Sequence, residues 1–222
     1  MKIDLITLQA VNNYGSVMQT FATQEIFRQH GCEVRVINYA RNRDKPLYRF
    51  LGSFKDKPLL IPARVFFTLI TLHRWYSMFG SFRKKFLNMS GTKTYTSMKD
   101  FEGYESDADA FCTGSDQVWN SYHNYGILPQ LYLAFAPEGS YKFAFSASFG
   151  KTEIETEEVE ATQKYIDAYK HISVREDSGL KILKGQYHYS NAVQVLDPTL
   201  CLSGNTWREY AENTNWGGGI AD

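Results

Sequence analysis

"KIDLITLQAVNNYGSVMQTFATQEIFRQHGCEVRVINY", residues 2–39, decides the fold. "KIDLITL" is a short apolar run of the kind that forms a buried strand. The polar loop "QAVNNYG" follows it. "SVMQTFATQEIFRQHG" then sets Val17, Met18, Phe21, Ile26 and Phe27 on one helical stripe, and Gly31 suits a helix C-cap. "CEVRVINY" reads as a second strand. A strand, a helix and a strand this close together make a βαβ unit with parallel strands and a right-handed crossover.

The same alternation returns downstream. "ADAFCTG", "YKFAFSAS", "ISVRE" and "AVQVLDPTL" read as further strands. "TEIETEEVEATQKYIDAYKH" begins with acids, which favours the positive end of a helix dipole. "DSGLKILKG" opens like a capped helix, and "SGNTWREYAENTNW" supplies a final short one. The predicted fold class is α/β: a Rossmann-like, mostly parallel sheet with helices on both faces.

Between the second and third strands the pattern breaks. From Arg41 to Phe86 there are eleven basic residues and only two acids, Asp44 and Asp56. The remaining 176 residues carry 13 basic and 22 acidic groups, so a neutral total hides a strong asymmetry. "PLLIPARVFFTLITLHRWYSMF" in this segment is apolar and aromatic, and is read as a helical insertion spanning about residues 41–90. Basic residues beside aromatics suit a peripheral membrane contact through 41–86 with anionic lipid. A helical flap with a solvated basic face explains the same pattern.

Composition sets the outer limits. A chain of 222 residues holds one large domain or two small ones, and 43% apolar content supports a sizeable core. Net charge is zero, so nothing points to a nucleic-acid partner. Cys32, Cys112 and Cys201 are odd in number and widely spaced, which fits buried reduced thiols rather than a disulfide framework or a metal site. The N-terminus is too short and charged for a signal peptide, and no run reaches the ~20 apolar residues of a membrane span. The sequence reads as that of a cytoplasmic protein. None of the five histidines has metal-ligand spacing, and no metal is predicted. His123 alone lies near a loop of interest, "NSYHNYG".

In an open parallel sheet, ligands bind outside the carboxyl ends of the strands. "NNYGS" opens the first helix, where a small residue and free N–H groups favour an anion. An ordinary strand-to-helix turn with Ser16 as cap is the other reading. Neither a GxGxxG nor a P-loop pattern is present. "TGSDQVWN", residues 113–120, is more specific. Asp116 and Gln117 can hydrogen-bond sugar hydroxyls, and Trp119 can stack on a sugar's apolar face. Alternatively Asp116 is a cap and Trp119 belongs to the core. Arg175 in "SVRE" offers a fork for carboxylate or phosphate, or else an ion pair with Glu176 or Asp177. "LDPT" reads as a strand-ending turn at Pro198.

Taken in order, "NNYGSVMQTFATQEIF", "TGSDQVWN", "FSASFG", "ISVREDSG" and "VLDPTLCL" resemble the polysaccharide pyruvyl transferase family. The resemblance runs from about Lys2 to Leu202, apart from the basic insertion. It implies transfer of a pyruvyl group from phosphoenolpyruvate to a saccharide, or a lipid-linked saccharide, of a surface polysaccharide. The product is a pyruvate ketal, and phosphate is released. Phosphoenolpyruvate enters as donor substrate, and no cofactor is implied. The resemblance also implies a glycosyltransferase-B-like pair of domains. Residues 1–202 would then form the N-terminal Rossmann-like domain, and 203–222 a terminal helix and linker toward a second one. By analogy Asp116 and Arg175 carry catalytic roles, Arg175 as the anion clamp. Asn13, Tyr14, Gly15, Ser16, Gly114, Ser115, Gln117, Trp119, Asn120, Ser146 and Ser148 line the substrate site. Homo-oligomerisation is compatible with this reading. A nucleotide-sugar-dependent glycosyltransferase and a non-catalytic sugar-binding half are the competing readings.

Overall fold

The computed structural model describes residues 1–44 and 61–212. Lys45, Arg49, Lys55 and Lys57 of the basic insertion, and the ending "NWGGGIAD", lie outside the described residues. The strands are β1 (Lys2–Ile6), β2 (Glu33–Val36), β3 (Ala110–Thr113), β4 (Tyr141–Ala147), β5 (His171–Val174) and β6 (Val193–Gln194). The helices are α1 (Tyr14–Gln29), α2 (Ile61–Phe86), α3 (Ser121–Asn124), α4 (Thr156–Ile166), α5 (Asp177–Gly185), α6 (Pro198–Cys201) and α7 (Gly204–Glu212). The strands form one sheet in the order β2-β1-β3-β4-β5-β6, and every pairing is parallel. This is the Rossmann-like α/β arrangement read from the sequence.

Both faces of the sheet are covered, as a parallel sheet requires. Alternate strand residues divide between two cores. Ile3, Leu5, Val34, Val36 and Cys112 pack with Phe21 and Ala22 of α1, Phe82 and Phe86 of α2, and Trp207 and Tyr210 of α7. Ile6, Phe111, Ala144, Ile172 and Val174 face the other way, onto Ile166 of α4 and Ile182 and Leu183 of α5. Phe21 is the hub of the first core, with ring centroids 4.6 Å from Tyr210 and 5.6 Å from Trp207. α7 therefore packs against α1.

Local chemistry fixes the ends of α1. Asn13, not Ser16, is the N-cap: its Oδ1 accepts from Ser16 N at 2.9 Å. Gly31 follows the C-cap with φ +78, the left-handed turn that the sequence assigns to it. The sixth strand is shorter than predicted. It ends at Gln194, because Asp197 caps a new helical turn by accepting from Thr199 N at 3.0 Å. The "LDPT" turn is thus the start of α6.

β4 contains the one irregular register. Its pairing with β5 shifts between Ala144 and Ala147, and Ser146 has φ +54. A bulge of this kind moves the inward face by one residue. Phe143 and Phe145 point to the α1 side, while both Ala144 and Ala147 point to the α4 side. Ser146 itself is held by two bonds: its N–H donates to Ser173 Oγ at 3.0 Å and its hydroxyl to Leu196 O at 3.1 Å.

Gly150, just beyond β4, has φ +60, and a Cβ there would lie 2.6 Å from Asn120 Nδ2 and 2.7 Å from Gln117 Cδ. A side chain in this backbone region costs about 1–2 kcal/mol before any clash. Gly150→Ala is expected to lower stability by at least that amount in urea unfolding. An unchanged midpoint would show that the 117–120 loop can move away from Gly150.

Candidate functional site

Strand order locates the crevice. β1 lies between β2 and β3, so the chain leaves β1 to one side and returns to place β3 on the other. The loops after β1 and β3 part at this switch point, where ligands of open α/β sheets bind.

A buried hydrogen-bond network joins the two loops. Gly114 N–H donates to Ile6 O at 2.8 Å, and Thr7 Oγ1 to Ser115 O at 2.8 Å. Gln19, on the inner face of α1, donates from Nε2 to Thr7 Oγ1 at 3.0 Å and to Ser16 O at 2.8 Å. The backbone at Gly114 runs so close to β1 that a Cβ would sit 2.8 Å from Leu5 Cδ1. Thr7 and Gln19 were not singled out from the sequence. Their signal was a polar residue in an otherwise apolar strand-to-helix frame.

Asp116 stands at the top of this network. Its φ is +81, a left-handed conformation that a non-glycine residue adopts at a cost. Its carboxylate accepts from Ser16 Oγ at 2.5 Å through Oδ2, and from Gln117 N at 2.8 Å through Oδ1. The first helix, the β3 loop and β5 meet here. Arg175 Nη2 is 3.9 Å from Asp116 Oδ1, its Nη1 is 3.1 Å from Asp197 Oδ2, and its Nε is 3.4 Å from Glu176 Oε2. Ser16, Asp116, Gln117 and Arg175 are thus brought together. Glu176 and Asp197 join them, two carboxylates not among the predicted site residues.

The electrostatics differ from a bare anion clamp. Three carboxylates surround the single Arg175 guanidinium, which is 26% exposed. An incoming anion has to displace at least one of them. The same carboxylates are ready acceptors for hydroxyl groups, the commonest polar group of a saccharide.

Other predicted lining residues serve differently. Trp119 does not offer a face to a sugar. It is 1% exposed, lies against Tyr132 with centroids 5.6 Å apart and Phe149 at 5.1 Å, and donates from Nε1 to Leu131 O at 3.3 Å. Its indole is core, and it props the loop from beneath. Ser146, Ser148 and Ser115 are buried too. Ser148 O accepts from Trp119 N at 3.1 Å, which ties β4 to the β3 loop. Asn120 caps α3, accepting from His123 N at 2.9 Å and donating to Gln117 Oε1 at 3.0 Å. The reason is shared: loops that leave a buried parallel sheet must satisfy their own backbone, and small polar residues do it at least cost. Asn13, Tyr14 and Gly15 remain exposed beside Ser16.

The insertion also reaches the site. Trp75 Nε1 donates to Asn12 O at 3.1 Å, and Arg83 Nη1 donates to Asn12 Oδ1 at 2.8 Å. The Tyr14 ring packs edge-on against Phe79, with centroids 5.2 Å apart. Trp75, Phe79 and Arg83 recur every four residues, so one stripe of α2 lies over the loop after β1. Arg41 is equally far from a solvated charge: it is buried, gripping Asp44 at 2.7 Å and Asn124 Oδ1 at 2.6 Å.

A cavity of about 420 Å³ lies away from the strand ends, lined by Asp4, Arg35, Tyr95, Tyr104 and Ser106 among others. Several of its polar groups are spent on one another. Asp4 accepts from Arg35 Nε at 2.9 Å and Tyr104 Oη at 2.7 Å. Burial, reinforced by Asp4, pushes the Tyr104 phenol well above its usual range. We place the site at the switch point instead. Among the described residues, no group of three or more His, Cys, Asp or Glu is arranged to hold a metal ion.

Trp119→Ala is expected to lower stability by about 3–5 kcal/mol, the usual cost of emptying a core aromatic site. Trp119→Phe should keep any saccharide affinity within a few-fold. Calorimetry on both variants checks this, and a selective loss of sugar binding in Trp119→Phe would restore a direct contact.

The family model for polysaccharide pyruvyl transferase matches residues 13–221, and the chain belongs to that family. No curated protein and no solved structure gives a match.

Proposed function

We propose, from that family membership, that this protein transfers a pyruvyl group from phosphoenolpyruvate to two hydroxyls of a saccharide. The saccharide belongs to a cell-surface polysaccharide or its lipid-linked precursor, and this chain supplies the acceptor side of the site. The observation that carries the reading is the cluster of Ser16, Asp116, Arg175 and Asp197 at the sheet's switch point.

The chemistry assigns each group a task. Protonation of the donor's methylene carbon leaves an oxocarbenium-like centre at the carbon bearing phosphate. One sugar hydroxyl adds there, and a second displaces phosphate to close the ketal. Both hydroxyls must lose a proton, so a fixed carboxylate beside them is needed. Asp116 supplies it, held in place by Ser16 Oγ and the Gln117 amide. Asp197 and Glu176 bind further hydroxyls. Arg175 balances the carboxylates, and takes up the departing phosphate when a hydroxyl replaces one of them. The reaction runs in the cytoplasm, where phosphoenolpyruvate is made.

Contact with the inner face of a membrane is part of the proposal. Arg74, Lys84 and Lys85 are exposed on α2, and Ile70 is an exposed apolar neighbour. No helix among the described residues is long and apolar enough to cross a membrane. Flotation with anionic liposomes should carry the protein to the top, and neutral liposomes should leave it behind. Equal behaviour with both removes the membrane contact.

The test of the reaction is acceptor-dependent phosphate release from phosphoenolpyruvate. Release is measured for the 222-residue chain alone and with the C-terminal domain of a longer family member joined to it. Asp116→Asn should reduce turnover by about 100-fold or more, the scale of a lost general base. Its melting temperature should stay close to that of the unmodified chain. Full turnover in Asp116→Asn would take Asp116 out of the reaction. Release that needs a nucleotide sugar would replace the reading with glycosyl transfer.

A further inference from the structure

We propose that Arg83, together with the N-terminus of α1, binds a phosphoryl or carboxylate oxyanion over the carboxyl end of β1. Other arginines of this protein spend their planar edge on carboxylates. Arg28 spends its Nε/Nη2 edge on Glu25, at 2.8 and 2.7 Å. Arg41 spends the same edge on Asp44, at 2.7 and 3.0 Å. That edge is the planar fork that grips carboxylate or phosphate in two places.

Among the described residues, nothing occupies the Arg83 fork. Both of its hydrogen bonds leave from Nη1: to Asn12 Oδ1 at 2.8 Å, and a longer one to Gln9 O at 3.3 Å. Both acceptors are neutral. No carboxylate among the described residues pairs with it, and burial pulls its guanidinium below the usual arginine range. A desolvated, unpaired charge is costly and rarely kept without a partner.

The surroundings point the same way. Asn12 is 4% exposed, and its Nδ2 has no hydrogen-bond partner, although its carboxamide is turned to Arg83. Asn13 caps the 16-residue α1 directly after it. Asn13 Oδ1 uses the Ser16 amide and Asn13 O the Val17 amide, which leaves the Tyr14 and Gly15 amides at the helix's positive end. A cation, an unpaired amide donor and a helix N-terminus therefore lie on or beside one short stretch of loop, residues 12–15. Arg175, by contrast, already faces three carboxylates. Arg83 is then the cation open to the anion on binding, and Arg175 meets phosphate only after a hydroxyl has displaced one of its carboxylates. The insertion α2 is then the strap that brings the arginine back to the site.

The identity of the anion rests on the pyruvyl-transfer reading. It is the phosphate or carboxylate of phosphoenolpyruvate, or the diphosphate of a lipid-linked saccharide. Isothermal titration of the 222-residue chain at low salt separates them. The probes are phosphoenolpyruvate, inorganic phosphate and a short-chain polyprenyl diphosphate. Arg83→Met should weaken binding of the true ligand about 10-fold or more, the scale of a lost charged hydrogen bond. Arg83→Lys should recover part of the loss. The removed charge had only neutral oxygens as partners among the described residues, so Arg83→Met should melt close to the unmodified chain. Loss confined to phosphoenolpyruvate and phosphate assigns the donor, and loss confined to the polyprenyl diphosphate assigns the lipid-linked acceptor. Binding that survives in Arg83→Met but not in Arg175→Gln overturns the Arg83 site and leaves the reaction standing. A clear drop in melting temperature for Arg83→Met, restored by lysine, makes Arg83 a structural clamp and also overturns it. A chain that binds none of the probes overturns the Arg83 site and leaves the reaction to the phosphate-release measurement.

Discussion

The hydrogen bond from Thr7 Oγ1 to the Ser115 carbonyl, 2.8 Å long and fully buried, ties together the two loops that diverge from the middle of the sheet. Gln19 locks it from the side by donating to the same hydroxyl at 3.0 Å. In a low-dielectric interior, each group in such a chain would be expensive to leave unpaired. The loops after β1 and β3 are therefore bonded to each other and to the N-terminal turn of α1. This coupling lets Ser16, on a helix, meet Asp116, on a loop 100 residues further along the chain. It also explains why Asp116 can hold φ +81: its carboxylate and the neighbouring backbone are fixed on both sides.

Trp119 supports this junction from the opposite direction. The indole fills the core beneath the loop, and its backbone N–H reaches Ser148 of the β4 end. The bulge at Ser146 then turns Ala147 inward, and Asp116 bridges to Ala147 across the strand ends. Residues that looked like ligand contacts are mostly the frame for a few groups at the top. The frame is polar because it sits where strands end and ladder bonds run out, and each orphaned amide or carbonyl needs a local partner.

Charge is distributed unevenly around the crevice. Arg175 is matched by Asp116, Glu176 and Asp197, whereas among the described residues Arg83 faces only neutral oxygens. The chain's neutral total conceals this, as does the basic count of the insertion. Arg41 belongs to a buried ion pair, Lys84 and Lys85 are exposed on the surface, and Arg83 is turned inward. A run of basic residues therefore has no single meaning here. Position on the α2 stripe, every fourth residue from Trp75, separates the inward arginine from the outward lysines.

Much was legible from order and period alone. The βαβ opening, the parallel sheet, Gly31 after α1 and the importance of "TGSDQVWN" follow from apolar periodicity, turn chemistry and the position of polar residues after strands. These signals are local, and each element announces itself within a few residues. The family resemblance added the reaction class. Whether Trp119 faces solvent or core, whether Ser16 or Asn13 caps α1, and which carboxylates surround Arg175 depend on contacts between residues far apart in sequence. Strand order, the bulge at Ser146 and the docking of α2 set those contacts. They emerge only when the two faces of the sheet are packed, because burial and partner choice are properties of neighbours in space.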